Sequence, residues 1–163
     1  VLHATAAILH SAGVAQVHMV DDSRELLPAL ERQSASAILL DLFMPNASEA
    51  QRLTETATLE EAAFRLRDLV AKLVVKDGAN GAWLWDKTGN YHVPALPVTP
   101  LDTTGAGDAF NAGYLAAHLT GCDGIGCLRQ GNVCGGLSTL GYGGAQSAPC
   151  REAVETALGQ YAD

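Results

Sequence analysis

The sequence has few basic side chains, and this shortage limits the partners that the protein can have. Its 163 residues include 10 Lys or Arg against 18 Asp or Glu, which gives a formal net charge of -8. A surface of this sign repels polyanions, so we expect neither nucleic acid nor an anionic membrane as the main partner. A local phosphate site is still compatible with this charge, because backbone N–H groups bind anions without any basic residue.

Long apolar runs and a recognisable targeting segment are also absent from the sequence. No apolar run approaches the roughly 20 residues that a helix needs to span a bilayer. The first residues, "VLHATAAILHSAG", have neither the basic region nor the cleavage-site pattern of a signal peptide. We therefore expect a cytoplasmic protein without a membrane partner.

Cysteine pairs with the C-x-x-C spacing of zinc or redox sites do not occur either. The four cysteines are Cys122, Cys127, Cys134 and Cys150. Cysteines of a cytosolic protein are usually reduced and pack as small apolar side chains. We expect four free thiols, most of them buried.

The apolar residues that are present suffice for one compact domain over residues 1–163. Hydrophobic residues make up 48% of the chain, which allows a substantial core at this length. Before residue 45, two helical patterns alternate with the apolar runs "AQVHMV" and "SAILLDLFM". This order of helix, strand, helix and strand is typical of an α/β fold with parallel strands.

The second part of the chain continues with helices and short strands. We predict helices near 47–54, 58–69, 106–120, 124–140 and 149–161, and strands at "KLVVK", "AWLWD" and "NYHVP". The segments "DGANG" and "KTG" are predicted turns, and the proline-rich "VPALPVTP" should be extended. A second copy of the chain could cover an open sheet edge, so a homodimer is one alternative.

The segment "LDTTGAGDAFNAGYLAAHL", residues 101–119, carries the clearest chemical signal. A glycine-rich turn at 103–107 runs directly into an apolar helix that begins near Asp108. Glycines let the backbone turn tightly, and the first N–H groups of a helix attract an anion. Asp108 would then stand where it can accept a proton from an attacking hydroxyl. The alternative is a glycine-rich turn followed by an ordinary capping aspartate.

The string "DTTGAGDAFNAGYL" closely resembles the signature of the ribokinase-like (PfkB-type) carbohydrate kinases. Three further segments resemble parts of that family in the expected order: "MPNASEA", "VVKDGANGAW" and "GNVCGGLSTLGYGGAQSAP". The resemblance covers about residues 41–163. It implies an α/β three-layer sandwich with a mostly parallel central sheet, and ATP-dependent phosphoryl transfer to a sugar hydroxyl.

The resemblance also implies roles for individual residues. Asp108 would be the catalytic base, and the N–H groups of Gly105, Ala106 and Gly107 would form the anion hole. Asn46 and Glu49 would organise Mg²⁺ and the phosphates of ATP, directly or through water. Nucleotide-binding positions would be Lys76, Gly78, Gly81 and Asn132, the last beside the adenine or ribose. A monovalent cation such as K⁺ would bind at Asp102, Thr104 and Ser147.

The sugar site of this family has no counterpart that we can identify before Asn46. Family members are longer, and their N-terminal half supplies a glycine pair, most polar contacts to the sugar and a β-sheet lid. We therefore expect a reduced or missing sugar site, and slow turnover because bound ATP would be open to water. An alternative without catalysis is a nucleotide-binding α/β scaffold, natural or engineered.

Residues 1–45 resemble a different protein, the receiver domain of response regulators, which has a flavodoxin-like fold. In that resemblance the strand ending "LLDLFMP" would carry a phosphate-accepting Asp41. A receiver also needs an acidic pair after its first strand, and the acidic residues of "VDDS" are too close to Asp41 to match. Three interpretations stay open: a chimera of 1–45 with a kinase segment 46–163, a diverged or truncated kinase, and a receiver-type signalling module.

Overall fold

The regular elements follow the predicted pattern wherever the structure, a computed structural model, describes the chain, which is at residues 42–161. The elements are β1 (Leu42–Phe43), α1 (Ala47–Thr54), α2 (Leu59–Leu66), β2 (Lys72–Lys76), β3 (Ala82–Asp86), β4 (Gly89–Val93), α3 (Ala106–Leu119), α4 (Gly124–Ser138) and α5 (Arg151–Gln160). The predicted α/β class is confirmed. The elements predicted before residue 42, and the proposed acceptor Asp41, lie outside the described residues.

The predicted helix and strand bounds are confirmed to within a few residues. Strands β2 and β3 have the predicted bounds, while α5 starts two residues later than the prediction near 149. Its N-cap is Cys150, directly after Pro149. The segment 94–100 contains no helix or strand, as its prolines predicted.

The four described strands form a mixed sheet in the order β1-β2-β3-β4. β1 pairs with β2 in parallel, whereas β2 with β3 and β3 with β4 are antiparallel. The two antiparallel pairings follow from their connections, because five residues or fewer join β2 to β3 and β3 to β4. A parallel crossover needs about a dozen residues or more. Within residues 42–161 the sheet is therefore less parallel than predicted.

The core lies between the sheet and the helices α3 and α4. Side chains alternate along the strands, so Val74 and Leu84 point to one face while Leu73 and Val75 point to the other. The buried cluster on the helical face contains Val74, Ala82, Leu84, Val93, Phe110, Tyr114, Ala117, Cys127 and Leu128. A Cβ atom on Gly131 would lie 2.8 Å from the Phe110 ring. The absence of that atom lets α3 and α4 pack closely, which fixes the position where α3 begins.

Two other expectations concern the cysteines and the membrane. All four cysteines are free, as predicted. Cys127 and Cys134 are buried, but Cys122 and Cys150 are exposed, so only half of the thiols are in the core. Burial raises the pKa of the Cys127 and Cys134 thiols. Among the described helices, none has the length and apolar composition required to cross a membrane.

Candidate active site

The glycine-rich turn leads into the start of helix α3, as the sequence predicted. Gly105 is the N-cap with φ of 75°, a left-handed conformation that favours glycine. No side chain caps this helix end. The N–H of Ala106, one of the three predicted anion-hole donors, already donates to the carbonyl of Thr103 at 3.2 Å. The exposed Asp108 lies in the first turn, where the positive end of the helix dipole favours a negative group.

Asp102 ties this turn to a second loop that lies far along the sequence. Its Oδ1 accepts the backbone N–H of Thr104 at 2.9 Å, and its Oδ2 accepts that of Gly143 at 3.2 Å. These hydrogen bonds, above all the one from the Thr104 backbone, lower the pKa of the Asp102 carboxyl. The turn is thereby held against the loop that leads to Ser147.

The three residues predicted for a monovalent cation lie on these two loops. A Cβ atom placed on Gly144 would be 3.5 Å from Cγ2 of Thr104. The hydroxyl of Ser147 donates to the carbonyl of Gly144 at 2.7 Å. The loop of Asp102 and Thr104 therefore lies against the loop of Ser147, which is the arrangement that a shared cation would need.

Asn46 and Glu49 meet in a capping box at the start of α1. Oδ1 of Asn46 accepts the N–H of Glu49, and Oε2 of Glu49 accepts the N–H of Asn46, both at 2.8 Å. Asn46 also forms a parallel bridge with Lys76 at the ends of β1 and β2. The carboxyl ends of β1 and β2 meet at one sheet edge, so Asn46 and Glu49 lie on the same side of the sheet edge as Lys76.

Lys76 extends from the end of β2 to the first turn of α3. Its Nζ donates to Oδ1 of Asn111 at 3.0 Å, and a Cβ atom on Gly107 would lie 3.7 Å from the same Nζ. Burial lowers the pKa of the Lys76 ammonium, and the charges of Glu49 and Asp108 oppose that effect. Sequence reasoning missed Asn111. The available signal was its position three residues after Asp108, which places both on one helix face.

The turn between β2 and β3 requires glycine at two positions. Gly78 has φ of 53° and Gly81 has φ of 97°, and a short 3-10 helix, Gly78–Asn80, lies between β2 and Gly81. A Cβ atom on Gly81 would lie only 2.1 Å from the carbonyl oxygen of Val93. This close approach joins the turn to the end of β4.

Asn132 is buried in α4 and supports the same strand end. Its Nδ2 donates to the carbonyl of Val93 at 2.9 Å and to that of Pro94 at 2.8 Å. The hydroxyl of Tyr161 also donates to the Pro94 carbonyl. The amide nitrogen of Asn132 is engaged in these two contacts. The predicted contact with an adenine would therefore be made by its side-chain oxygen or by van der Waals packing.

A cleft of about 520 Å³ is lined by six of the thirteen predicted site residues. The lining does not include Asn46, Glu49, Asp102, Thr104, Gly105, Asp108 or Ser147. The predicted site residues that line it are Lys76, Gly78, Gly81, Ala106, Gly107 and Asn132. Its wall also includes Thr103, Phe110, Gly135, Gly136 and Thr139, which belong to the segments that resemble the family. Sequence reasoning assigned no site role to the remaining part of the wall, Ala95, Leu96, Pro97, Val98 and Pro100. One end of the cleft is thus apolar, and the other holds a lysine beside an uncapped helix start. Such a cleft suits a ligand with a flat apolar part and an anionic tail.

The acidic side chains fit a metal ion only if a bound ligand supplies further coordinating oxygen atoms. Within residues 42–161 there is no group of three or more His, Cys, Asp or Glu side chains that could hold an ion. Mg²⁺ is commonly bound by one or two carboxylates together with water and substrate phosphates. Glu49 can supply one such carboxylate, so the residues fit Mg²⁺ that arrives with a phosphate ligand.

Replacing Asn132 by aspartate should destabilise the fold by about 3 kcal/mol. The carboxylate cannot donate, and it would face the two carbonyl oxygens that Asn132 now satisfies. Urea denaturation measures the free energy of unfolding. Asn90→Asp, an exposed change on β4, is the matched control and should cost less than about 0.5 kcal/mol. Equal effects of the two changes would contradict the structural role of the Asn132 amide.

Comparison with known proteins gives consistent matches. The sequence model of the pfkB family of carbohydrate kinases matches residues 1–151. The ATP-dependent ribose-1-phosphate kinase of Halopiger xanaduensis is 36% identical over 159 residues, which cover 97% of this chain and 52% of that protein. The family match starts at residue 1, and the alignment leaves only 3% of the chain uncovered, so both extend over most or all of the first 45 residues, which resemble a receiver domain.

Solved structures show the same fold. The ribokinase of Arabidopsis thaliana, complexed with ribose and ATP, matches 72% of this chain and 40% of its own, with a TM-score of 0.69 and 30% identity. A fructokinase double mutant from Vibrio cholerae, with bound fructose, ADP and potassium ion, matches 85% of this chain and 46% of its own, with a TM-score of 0.72 and 29% identity. The chain spans about half the length of the relatives that it matches.

Proposed function

Because this chain belongs to the pfkB family of carbohydrate kinases, we propose that it carries the ATP side of a kinase that phosphorylates a sugar hydroxyl. The observation that carries the proposal is the position of Asp108 in the first turn of an uncapped helix. It lies close enough to Lys76, which lines the cleft, for their charges to interact. A base, an anion site and a cation are thereby close together. These are the parts that phosphoryl transfer requires.

In the proposed reaction the cleft orients ATP along its length. The adenine lies against the apolar wall that contains Leu96 and Val98, and the phosphates extend toward the turn at Gly105 and Gly107. The transferred phosphoryl group meets the N–H groups at the start of α3, which stabilise its negative charge. Asp108 accepts the proton of the attacking sugar hydroxyl. Positioning and charge stabilisation supply most of the catalysis, because the protein forms no covalent bond to the phosphoryl group.

Asn46 and Glu49 are the residues that would hold Mg²⁺ in this reaction, directly or through water. When bound, the ion neutralises charge on the phosphates of ATP. Oε2 of Glu49 already accepts the Asn46 N–H in the capping box. The capping box fixes the orientation of the Glu49 carboxylate. Little side-chain entropy is therefore lost when Glu49 binds an ion that a phosphate also holds.

We also propose that K⁺ binds between the loops of Asp102, Thr104 and Ser147. The contact of the two loops supports this site, and the similar fructokinase from Vibrio cholerae has a potassium ion bound. ATP affinity in KCl should exceed that in choline chloride at equal ionic strength by about fivefold or more. Asp102→Asn should remove most of that difference because it weakens the tie between the loops. Calorimetric titration gives both affinities, and equal values in the two salts would count against the site.

The sugar itself is proposed only as a class. The relative from Halopiger xanaduensis is named for ribose-1-phosphate, and the similar solved structures contain ribose or fructose. A panel of ribose, ribose-1-phosphate and fructose is therefore the first set of acceptors for an ADP-release assay. A cytoplasmic location, where ATP is available, and a homodimer are part of the same proposal.

For residues 1–45 we infer that the segment belongs to the kinase. The family match starts at residue 1, and the alignment with the kinase of Halopiger xanaduensis covers 97% of the chain. These matches favour the diverged or truncated kinase over the chimera and over a receiver module. A phosphate-accepting role of Asp41 has no support from them.

Calorimetric titration of the full chain with Mg-ATP tests the proposal, together with ADP release over the sugar panel. Binding and sugar-dependent ADP release are the expected results. Binding without turnover would instead favour the non-catalytic nucleotide-binding scaffold. An absence of nucleotide binding would rule out both interpretations.

A further inference from the structure

We propose that Lys76 is a catalytic residue which contacts the phosphoryl group in transfer, and that Asn111 is the positioning residue which holds its ammonium there. This inference rests on the function proposed above and deepens it. The sequence signature assigned Lys76 only to nucleotide binding in general, and it assigned no role to Asn111. The two side chains lie 35 positions apart and meet through the hydrogen bond from Nζ to Oδ1.

The backbone of Lys76 is fixed at the sheet edge. Its N–H donates to the carbonyl of Pro45 at 3.0 Å, and the residue pairs with Asn46 in a parallel bridge. The side chain therefore starts from a rigid point between β1 and the turn at Gly78. Only the four-carbon stem has to be ordered to bring the charge to the helix start. That ordering costs conformational entropy, which a hydrogen bond to the ammonium offsets.

Asn111 supplies that partner from α3. It lies three residues after Asp108 and four after Gly107, so all three lie on one face of the first two turns of α3. The Nζ that it holds lies near Gly107: a Cβ atom there would be 3.7 Å from Nζ, which is van der Waals contact. The ammonium consequently lies close to the backbone of Gly107, one of the residues of the proposed anion hole.

Because the partner of Lys76 is the neutral amide of Asn111, the ammonium keeps its positive charge. An asparagine oxygen accepts one N–H of the ammonium but carries no net charge, so the positive charge is not neutralised. Neither ion pair found among residues 42–161 includes Lys76. Glu49 and Asp108 act on it electrostatically, and the ammonium is partly buried. A partly desolvated cation interacts with an anion more strongly than one in water.

Titration calorimetry of the full chain with Mg-ATP and with Mg-ADP tests the inference. If Nζ contacts the terminal phosphoryl group, Lys76→Met should weaken ATP about tenfold to a hundredfold and ADP by less than about threefold. Lys76→Arg should recover part of the loss. Asn111→Ala should weaken ATP about threefold to tenfold, because the lysine is no longer held. Lys87→Met, an exposed lysine on the β3–β4 turn, is the control and should change neither affinity.

Asn111→Asp separates positioning from packing. Aspartate has nearly the shape of asparagine and keeps the hydrogen bond to Lys76, but it neutralises the ammonium and adds negative charge at the anion site. The inference predicts normal thermal stability with a loss of ATP affinity at least as large as that of Lys76→Met. A structural role alone predicts normal stability and normal ATP affinity.

The outcomes distinguish this inference from the proposed function. If the wild type binds ATP but Lys76→Met weakens ATP and ADP equally, the inference is wrong and the kinase proposal stands. If the wild type binds neither nucleotide, both are wrong. Should Lys76→Met fail to fold, the ratio of ATP to ADP affinity in Asn111→Ala decides the question.

Discussion

Asp108→Asn is expected to lower sugar-dependent ATP turnover by about 10²-fold to 10⁴-fold, the usual contribution of a general base. The amide has nearly the same shape but cannot accept a proton from the sugar hydroxyl at neutral pH. Mg-ATP affinity should be unchanged or slightly higher, because a negative side chain beside the phosphates has been removed. Steady-state ADP release and calorimetric titration on the same preparation measure the two quantities.

The contrast between turnover and binding is what makes this result informative. Asp68→Asn, an exposed aspartate after α2 and outside the cleft, should alter neither quantity. Loss of ATP binding in Asp108→Asn, with unchanged melting temperature, would show that Asp108 organises the nucleotide instead of acting as the base. Unchanged turnover would remove it from the mechanism.

Gly81→Ala is expected to cost about 3 kcal/mol or more of folding free energy. Two causes act together. The φ of 97° is unfavourable for a residue with a side chain, and the new Cβ would lie 2.1 Å from the carbonyl oxygen of Val93, which is backbone and cannot rotate away. The end of β4 would have to move, and the wall of the cleft would move with it. Thermal and urea unfolding measure the loss of stability, and ATP affinity should fall in parallel.

Gly78→Ala is the matched control on the same turn. Gly78 also has a positive φ, 53°, but nothing lies within 4 Å of the position that its Cβ would take. This change should therefore cost only the strain of a left-handed backbone conformation, about 1 kcal/mol. If the two alanine variants lost equal stability, the close approach of Gly81 to Val93 would not contribute, and the strain of the turn alone would explain both.

The parts of the structure that depend on local sequence were predictable. "KLVVK" and "AWLWD" are β2 and β3 as predicted, because continuous apolar residues are bounded by a glycine-rich turn. The start of α3 was predictable because a left-handed glycine followed by an apolar helical pattern leaves few alternatives. Asp108 could thus be singled out before its surroundings were known.

The parts that depend on distant pairs were not predictable. The hydrogen bond of Lys76 to Asn111 spans 35 positions, and that of Asp102 to Gly143 spans 41. No local periodicity encodes such pairs, since they arise only when separate elements pack. The apolar wall at 95–98 was missed for a related reason. Its prolines predict extended backbone, but not which side of the segment a cleft will face.

The Pro94 carbonyl, which receives hydrogen bonds from Asn132 of α4 and from Tyr161 just after α5, has a consequence for the energetics of binding. Two helices anchor the segment at the point where it leaves β4, so the conformational freedom of that part of the wall is lost when the protein folds. Little of it remains to be lost when a nucleotide arrives. Preorganisation of this kind raises affinity without any additional contact, because the entropic cost of association is smaller.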